Sequence, residues 1–396
     1  MPYKKIIEIA DILNGFAFQS KKYVKSGIRV IRIANVQDGE IVDEQPCFYP
    51  NETRNEIEKY MLKEGDLLVS LTGNVGRVGL IPRDMLPAAL NQRVCCLRLK
   101  KDNVDLKYLF LYLRRKDFVR ECIKASKGVA QLNLSTKWLE NYEISLPSLS
   151  EQKRIVNKIE ELFSELDSAV ETLKKTKEQL AVYKQVALKK AFEPKKNWRC
   201  VKVSEIGEVN LGRQRSPKNV SKDYPTKYIR AANITESGID LSDILEMEFT
   251  PKEREKYYLK KNDILISEAS GSANQVGKPA IWKNEVDNCC FQNTVIRHRV
   301  INNNPEYVYW YYKNLYVNGF FSRNVGGVGI NHLGANNFSN FEIHIPDNLS
   351  EQSGIVKQIE SQLSICETIE KTVNDALAQA EAMRQSVLKK AFEGGL

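Results

Sequence analysis

The chain has 396 residues, of which 42% are hydrophobic and 28% charged, and its formal net charge is +9. This composition is typical of a globular protein with room for two or more domains, and no apolar run approaches the roughly 20 residues of a membrane-spanning helix. The first residues contain no apolar signal segment, so we expect a cytoplasmic protein without membrane contact. The positive charge suggests an acidic polymer, such as nucleic acid, as a partner.

The first block, residues 1–148, has the pattern of a mixed α and β domain. Short β-rich runs at Leu67–Leu71 and Val94–Leu99 alternate with turns, and one amphipathic helix is predicted near Leu106–Ser126. The eight cysteines of the chain show no C-x-x-C pair and no metal-ligand spacing. We therefore expect free thiols, most of them buried, and no metal site.

A long helix is predicted at residues 149–194. Pro147 precedes it, Ser150 is the expected N-cap with Glu151 in the first turn, and Pro194 ends it. Its apolar residues alternate three and four positions apart, which is the heptad seam of a coiled coil. The seam consists of Ile155, Ile159, Leu162, Leu166, Ala169, Leu173, Thr176, Leu180, Tyr183 and Ala187.

The second block, residues 195–347, repeats the first one faintly. "VIRIANV" (30–36) matches "YIRAANI" (228–234), and "LKEGDLLVS" (62–70) matches "LKKNDILIS" (259–267). Strands are predicted at Ile264–Ser267 and Thr294–Arg299, followed by a helix near Glu306–Phe321.

A second long helix is predicted at residues 348–396, with Ser350 and Glu351 at its start and Gly394 and Gly395 at its end. The words LSEQ and LKKAFE begin and end both long helices, 200 positions apart. The second seam consists of Ile355, Ile359, Leu363, Cys366, Ile369, Val373, Ala376, Ala380, Met383 and Val387.

The chain is therefore a tandem of two halves, each a variable block followed by a similar helix. Neither helix can bury its seam alone, so the simplest packing places the two helices antiparallel, with the blocks at opposite ends of a rod. The predicted fold class is α+β/α/β, with two globular domains joined by two long antiparallel coiled-coil helices in a pseudo-two-fold repeat. The alternative is that each helix folds onto its own block.

Motifs for covalent chemistry are missing from the sequence. The glycine-rich stretches 73–79 and 271–279 fit neither the dinucleotide fingerprint nor the P-loop, and there is no G-x-S-x-G elbow and no N/D/S-P-P-Y/F loop of an amino-methyltransferase. We expect a chain that is not an enzyme and has no catalytic residues.

Several turns at matching points of the two blocks combine glycine, amides, hydroxyls and cations. Asn and Gln can read adenine edges, Arg and Lys can read guanine or hold phosphate, and glycine permits close approach to the backbone. The alternative is that these residues belong to ordinary surface turns. The candidate DNA contacts are Phe18, Gln19, Ser20, Lys22, Asn35, Thr72, Asn74, Arg77, Gln92, Arg93, Lys127, Gln131, Asn133, Arg213, Gln214, Arg215, Asn233, Ser270, Ser272, Asn274, Gln275, Lys278, Gln292, Asn293, Arg323 and Asn331.

"GFAFQSKKY" (15–23) and the pattern "LPSLSEQKRIVNKIEELF…LKKAFE" (146–193), repeated after the second block, resemble the specificity subunit of type I restriction–modification systems. The resemblance covers the whole chain. It implies two target recognition domains, each reading half of a bipartite site on double-stranded DNA, and spacer helices whose length sets the gap between the halves.

The resemblance also implies partner subunits. Two methyltransferase subunits would bind S-adenosylmethionine and methylate adenine at N6, and motor-nuclease subunits would use ATP and Mg²⁺, so that this chain itself binds no cofactor. The identical helix ends are candidate contacts for these partners, and the alternative is that they are caps and packing residues. These candidates are Ser150, Glu151, Gln152, Lys189, Lys190, Phe192, Ser350, Glu351, Gln352, Lys389, Lys390 and Phe392.

Two other functions stay open on the sequence. One is a self-sufficient DNA-modifying enzyme, which the missing motifs disfavour. The other is a two-headed coiled-coil scaffold that binds proteins and has no DNA specificity.

Overall fold

The structure is a computed structural model that describes residues 2–100, 103–128, 131–214, 224–324 and 331–395. The chain forms two compact units, one made of Met1–Leu173 with Asn374–Leu396 and the other of Lys174–Val373. The division falls inside the two long helices, so each helix gives its first part to one unit and its second part to the other. The four sequence segments 1–148, 149–194, 195–347 and 348–396 are thus grouped so that each block shares a unit with parts of both helices.

The first unit contains a four-stranded antiparallel sheet and a three-stranded mixed sheet. Its strands are β1 (Tyr3–Lys5), β2 (Ala10–Asn14), β3 (Ile28–Ile31), β4 (Phe48–Tyr49), β5 (Leu67–Ser70), β6 (Val78–Leu80), β7 (Ala88–Leu90), β8 (Val94–Leu99) and β9 (Glu143–Ser145). Its helices are α1 (Ile6–Ile9), α2 (Arg54–Ile57), α3 (Leu106–Leu113), α4 (Lys116–Ala125), α5 (Thr136–Glu140) and the first part of α6 (Leu149–Ala191). The larger sheet has the order β2-β8-β5-β6, the smaller one β4-β3-β7 with β3 and β7 parallel, and β1 pairs with β9.

The second unit has the same plan. Its strands are β10 (Trp198–Lys202), β11 (Gly207–Leu211), β12 (Pro225–Ile229), β13 (Ile234–Thr235), β14 (Gly238–Ile239), β15 (Leu245–Glu248), β16 (Ile264–Ser267), β17 (Ala269–Ser270), β18 (Pro279–Ile281), β19 (Cys290–Phe291), β20 (Val295–Val300), β21 (Asn331–His332) and β22 (Glu342–Pro346). Its helices are α7 (Pro251–Tyr257), α8 (Pro305–Val317), α9 (Phe320–Arg323), α10 (Ala335–Ser339) and part of α11 (Leu349–Phe392). The sheets β11-β20-β16-β18 and β15-β12-β19 reproduce those of the first unit, which confirms the tandem repeat.

One core of each unit lies between its larger sheet and its helices. In the first unit, Leu67 and Val69 on β5 share this core with Leu109 on α3 and Ile155 on α6. The alternate strand residue, Leu68, lies in a separate core with Ile31 of the smaller sheet. Both faces of β5 are therefore buried, which explains why it appears in the sequence as a continuous apolar run.

The helix after the larger sheet is broken in both units, so the prediction of one continuous helix was wrong twice. In the first unit, α3 and α4 are separated at Arg115, whose backbone is extended (φ −66°, ψ 138°). In the second, α8 and α9 are separated at Gly319, which has a φ of +70°. Glycine tolerates this left-handed conformation, whereas Arg115 gives no comparable signal in the sequence.

The two long helices are antiparallel within each unit, as predicted. In the first unit, Ile155 and Ile159 near the start of α6 share a core with Leu388 and Phe392 near the end of α11. In the second unit, the residues near the end of α6 and the start of α11 share a core in the reverse order, namely Leu188, Phe192, Ile355 and Ile359. Residue numbers thus rise along one helix as they fall along its neighbour.

The seam departs from the predicted heptads in both helices. Ala169, in the middle of α6, is exposed, and Val170 is half-buried in its place, so the assignment of Ala169 to the seam was wrong. Tyr183, Ile369 and Met383 are 50%, 39% and 49% exposed, so these seam assignments were wrong. The inward positions are one residue later, where Lys184 Nζ lies 2.5 Å from Glu370 Oε2. A straight α-helix drifts by about 20° per heptad, and the aliphatic stems of long charged side chains can cover the resulting contact.

The first residues of the long helices also differ from the expectation. Both helices begin one position before the predicted caps, at Leu149 and Leu349. The Ser148 hydroxyl accepts from the Glu151 N–H at 3.4 Å, and the Asn348 side-chain oxygen accepts from the Ser350 N–H at 2.8 Å. Ser148 and Asn348 are thus the capping residues.

All eight cysteines are free, and six of them are buried, as expected. Burial raises the pKa of the Cys95 and Cys289 thiols to about 12. Among the described residues, none of the helices combines the length and apolar character needed to cross a membrane.

A buried histidine gives the second unit a specific sensitivity to acid. His298 on β20 is fully buried, the Tyr312 hydroxyl lies 2.8 Å from its Nδ1, and burial lowers its pKa from 6.5 to about 3. Between pH 6.5 and 3 this histidine therefore binds a proton in the unfolded chain but not in the folded one. The free energy of unfolding falls as the pH drops through this range. Leu97 occupies the matched position on β8.

We expect the free energy of unfolding to fall by about 2 kcal/mol more between pH 7 and pH 5 in the wild type than in His298→Leu. Urea titrations followed by tryptophan fluorescence measure this, since Trp198, Trp282 and Trp310 all lie in the second unit. An equal pH dependence of the two proteins would contradict a neutral buried imidazole.

Candidate nucleic-acid interface

Four separate segments of the first unit meet at one place. The Phe16 N–H donates to the Leu90 carbonyl at 2.8 Å, which joins the segment after β2 to the turn at residues 90–93. The Leu71 N–H donates to the Arg93 carbonyl at 3.0 Å, and the Leu134 N–H donates to the Leu71 carbonyl at 2.7 Å. Residues 14–18, 70–77, 90–93 and 131–134, which contain many of the candidates, are thereby connected. We call this set the first loop cluster.

The second unit repeats the same chain of bonds at matched positions. The Arg213 N–H donates to the Phe291 carbonyl at 3.1 Å, and the Glu268 N–H donates to the Thr294 carbonyl at 2.9 Å. The Leu333 N–H then donates to the Glu268 carbonyl at 2.9 Å. Residues 210–214, 267–275, 291–294 and 331–333 therefore form a second loop cluster with the backbone plan of the first.

One glycine in each cluster is required by close packing of two backbones. A Cβ atom on Gly15 would lie 2.2 Å from the Asn91 carbonyl oxygen, and one on Gly212 would lie 2.2 Å from the Gln292 carbonyl oxygen. No other residue fits at either position unless the neighbouring segment of the backbone moves. These two glycines were not among the predicted site residues, although G-F at 15–16 and G-R at 212–213 hold the same place in the two blocks.

Most candidate DNA contacts lie on the surface. In the loop clusters and beside them, the exposed candidates are Gln19, Ser20, Lys22, Asn74, Gln92, Arg93, Lys127, Gln131, Asn133, Gln214, Ser272, Asn274, Gln275 and Arg323. The partly buried candidates are Phe18, Arg77, Ser270, Lys278, Gln292, Asn293 and Asn331. Arg215 lies outside the described residues. All of these stay predictions as DNA contacts.

Asn35 and Asn233 have a structural role instead. Asn35 is 4% exposed; its Oδ1 accepts from the Arg32 N–H at 2.9 Å and its Nδ2 donates to the Val42 carbonyl at 2.8 Å. Asn233 is 2% exposed and makes the same bonds, with the Arg230 N–H and the Asp240 carbonyl. Because both amides are used inside their own turns, the matching "AN" of the two blocks reflects a shared turn, and we withdraw these two from the interface.

Other candidates are also held by neighbours inside the unit. Thr72 is buried and its Oγ1 donates to Asn133 Oδ1 at 2.9 Å, so it supports Asn133 and we withdraw it as a DNA contact as well. Arg213 is 8% exposed, and its Nε donates to Glu253 Oε1 at 2.7 Å while its guanidinium lies 5.2 Å from the centre of the Phe249 ring. Arg323 ends α9, where its Nη1 donates to the Asn318 carbonyl at 3.0 Å. These bonds reduce the charge that Arg213 can offer to DNA and connect Arg323 to the helices.

The glutamine of each LSEQ word is entirely buried in its own unit. Gln152 Oε1 accepts from the Asp105 N–H at 2.8 Å, and its Nε2 donates to the carbonyls of Asn103 at 3.1 Å and Pro147 at 2.9 Å. Gln352 Oε1 likewise accepts from the Asn304 N–H at 2.8 Å. Each glutamine thus fixes the start of a long helix to the start of α3 or α8. The expectation that these two side chains contact a partner subunit was wrong, because they are inaccessible.

The phenylalanine of each LKKAFE word is buried too. Phe392, at the end of α11, contacts Tyr108 and Tyr112 of the first unit with ring centres 5.1 and 5.0 Å away. Phe192, near the end of α6, contacts Tyr307 and Tyr311 of the second unit at 5.3 and 5.2 Å.

Each unit therefore holds the start of one long helix and the end of the other. Phe192 and Phe392 are packing residues, so their assignment as partner contacts was wrong. The tyrosines that receive them were missed, although Y-x-x-x-Y occurs at 108–112 and again at 307–311.

The remaining partner candidates are on the surface or close to it. Ser150, Lys189, Lys190, Ser350, Lys389 and Lys390 are exposed, whereas Glu151 and Glu351 are half-buried. Glu151 binds Arg154 through two 2.9 Å hydrogen bonds, and Glu351 accepts from Trp198 Nε1 at 3.1 Å. Their role in binding partners stays a prediction.

Residues 1–181 and 195–379 match the family model described as the type I restriction modification DNA specificity domain. The type I restriction enzyme EcoBI specificity subunit of Escherichia coli is 26% identical, over 98% of this chain and 84% of that protein. The EcoKI specificity subunit of Escherichia coli strain K12 is 23% identical, over 98% of this chain and 87% of that protein.

Two solved structures share the fold. One, from work on complex assembly and conformational transition of the type I R-M system, has a TM-score of 0.74 at 19% identity and covers 100% of this chain and 98% of its own. The HsdS subunit from Thermoanaerobacter tengcongensis has a TM-score of 0.55 at 18% identity and covers 100% of this chain and 97% of its own.

The buried glutamine predicts a large loss of stability on truncation. In Gln152→Ala, the Asp105 N–H and two carbonyls lose their partner inside the protein, so we expect the free energy of unfolding to fall by about 2–4 kcal/mol. The neighbouring Lys153 is exposed, and Lys153→Ala should change the free energy of unfolding by less than about 0.5 kcal/mol. Urea denaturation of the isolated chain measures both, and a Gln152→Ala protein as stable as the control would refute the structural role.

Proposed function

The chain belongs to the type I restriction–modification DNA specificity family, and from this premise we propose that it reads a bipartite, asymmetric DNA target, one half with each unit. The observation that supports this most strongly is the pair of loop clusters. Their backbones are joined by the same hydrogen bonds, while the side chains at matched positions differ. Family membership leaves the alternative of a protein scaffold without DNA specificity unsupported.

The residues of the loop clusters suit contact with a duplex. The exposed amide of Gln92 can donate to and accept from base edges, and that of Asn133 can donate to them. The cations of Arg93 and Lys127 can contact phosphate or guanine. Matched positions differ in chemistry: Phe16 corresponds to Arg213, and Arg93 corresponds to Thr294. Two surfaces with one backbone plan and unlike side chains would prefer unlike base sequences, which is why we propose an asymmetric target.

The chemistry of modification would then belong to partner subunits. The curated relatives are named specificity subunits of restriction enzymes, and we propose the same non-catalytic role here. Two methyltransferase subunits would supply S-adenosylmethionine-dependent methylation of adenine N6, and motor-nuclease subunits would use ATP and Mg²⁺. We propose that this chain holds none of these cofactors and acts in the cytoplasm, where its DNA target and partners are found.

The long helices offer surface for such partners. In the second unit, Val182 and Val186 of α6 are 60% and 55% exposed, four residues apart, and Ile365 of α11 is 58% exposed. Large apolar side chains exposed at helical spacing, as Val182 and Val186 are, are typical of protein interfaces. We propose that a methyltransferase subunit covers the surface around Val182 and Val186, together with the exposed Lys189 and Lys190 of the same helix.

Block exchange tests the proposed function directly. Replacing residues 1–148 by the corresponding block of a relative with another DNA target should change one half of the methylated sequence and leave the other half unchanged, because each loop cluster lies within one unit. The measurement is a map of N6-methyladenine in DNA from cells that produce the chimera with its partners.

The matched control is replacement of residues 195–347, which should change only the other half. If either exchange altered both halves together, the two clusters would not be independent readers. If neither exchange altered the methylated sequence, the proposed DNA-reading role would be wrong.

A further inference from the structure

One position in each loop cluster has a polar side chain held by a partner from the neighbouring segment. In the second unit, β17 and β21 pair so that Ala269 lies opposite His332. In the first unit, Thr72 lies opposite Asn133 in an isolated bridge. The backbone bonds of Leu134 and Leu333 fix the register, so Asn133 and His332 are equivalent positions, as are Leu71 and Glu268.

The first unit fixes its asparagine through a hydroxyl. Thr72 Oγ1 donates to Asn133 Oδ1 at 2.9 Å, and Thr72 is 7% exposed whereas Asn133 is exposed. With its oxygen occupied by an inward donor, the amide has its NH₂ group left to donate. One of its hydrogens is directed at the Gln131 carbonyl, 3.5 Å away, and the other can donate to a ligand.

The second unit fixes its histidine through a carboxylate. His332 Nδ1 lies 3.3 and 3.2 Å from the two oxygens of Glu268. The Glu268 side chain is only 10% exposed, while that of His332 is 54% exposed. The matched residue Leu71 is apolar and buried, so the fold at this position does not require a carboxylate. Burying one costs free energy unless it is paired, and the imidazole is the partner that offsets this cost.

The pair fixes which ring nitrogen faces outward. Nδ1–H donates to Glu268, which orients the imidazole and leaves Nε2 on the open edge. Within the described part of the chain, Nε2 has no hydrogen-bond partner. Glu268 also anchors two other segments of the cluster through its backbone bonds to Thr294 and Leu333. The ring is therefore held at the junction of three segments of the second loop cluster.

We infer that His332 contacts a base edge in the second half of the target and helps to specify it, with Glu268 as its positioning residue, while Asn133 holds the equivalent place in the first half. This inference rests on the proposed DNA-reading function and adds residues to it. Neither His332 nor Glu268 was found from the sequence pattern. The two halves would differ at this place because one unit presents an amide and the other an imidazole.

The test uses the chain assembled with its methyltransferase partners. Duplexes with an intact first half and a randomised second half are methylated, and the modified adenines are sequenced. His332→Ala should relax the preference at one base pair of the second half by about tenfold, which corresponds to one specific base contact, and leave the first half unchanged.

Glu268→Leu, which inserts the residue found at the matched position 71, should relax the same base pair. Glu268→Gln keeps an oxygen that can accept from Nδ1–H, so it should retain the base preference of the wild type. If the role of Glu268 were merely structural, Glu268→Leu would leave the base preference unchanged. As a matched control, Asn133→Ala should relax one base pair of the first half only.

Several outcomes would overturn the inference. One is a His332→Ala protein with an unchanged base preference in the second half. Another is a loss of methylation that is equal for every second-half sequence, which is typical of a phosphate contact. Loss of base preference in both halves of the target would also contradict the inference, since the exposed His332 side chain belongs to the second unit and should not affect reading by the first. Failure of the wild-type complex to methylate any two-part sequence is distinct, because it would instead refute the proposed function.

Discussion

The structure depends on how each unit holds the ends of two long helices. A buried glutamine side chain, Gln152 or Gln352, binds three backbone or side-chain groups at the start of one helix, and a buried phenylalanine, Phe392 or Phe192, packs between two tyrosines at the end of the other. An amide with several partners in a dry interior is costly to disrupt, and aromatic packing adds specific geometry. Identical helix ends are therefore required twice, because two units with the same plan bind them in the same way.

This constraint separates what must stay constant from what can vary. The sheets, the helix ends and glycines such as Gly15 and Gly212 fix the backbone of each loop cluster, so they leave little freedom for substitution. The outward side chains of the clusters support no core and can change without cost to the fold. A chain built in this way can acquire a new DNA preference in one unit while the other unit and the helices stay as they are, which is what a bipartite target requires.

Repetition and periodicity made the architecture predictable from the sequence. They did not show which of the repeated or polar side chains are accessible on the surface. Strands such as β5 and β8 were found because they are apolar and flanked by turns, and the antiparallel helices followed from two unburied seams. The breaks at Arg115 and Gly319 were missed because amphipathic spacing continues across them. Asn35, Gln152 and Phe192 were assigned to interfaces because they are polar or repeated, but the structure uses them internally. Sequence repetition marks a shared constraint and does not say whether that constraint is packing or binding.

The central claim is that two unlike readers act on one duplex while the helices connect them. It is tested most directly by sequencing N6-methyladenine across the DNA of cells that contain the wild-type chain with its partners. Two unlike readers at a fixed separation should give one motif made of two different specified parts, separated by a fixed number of unspecified bases. A single uninterrupted motif, two identical parts, or a gap of variable length would contradict it.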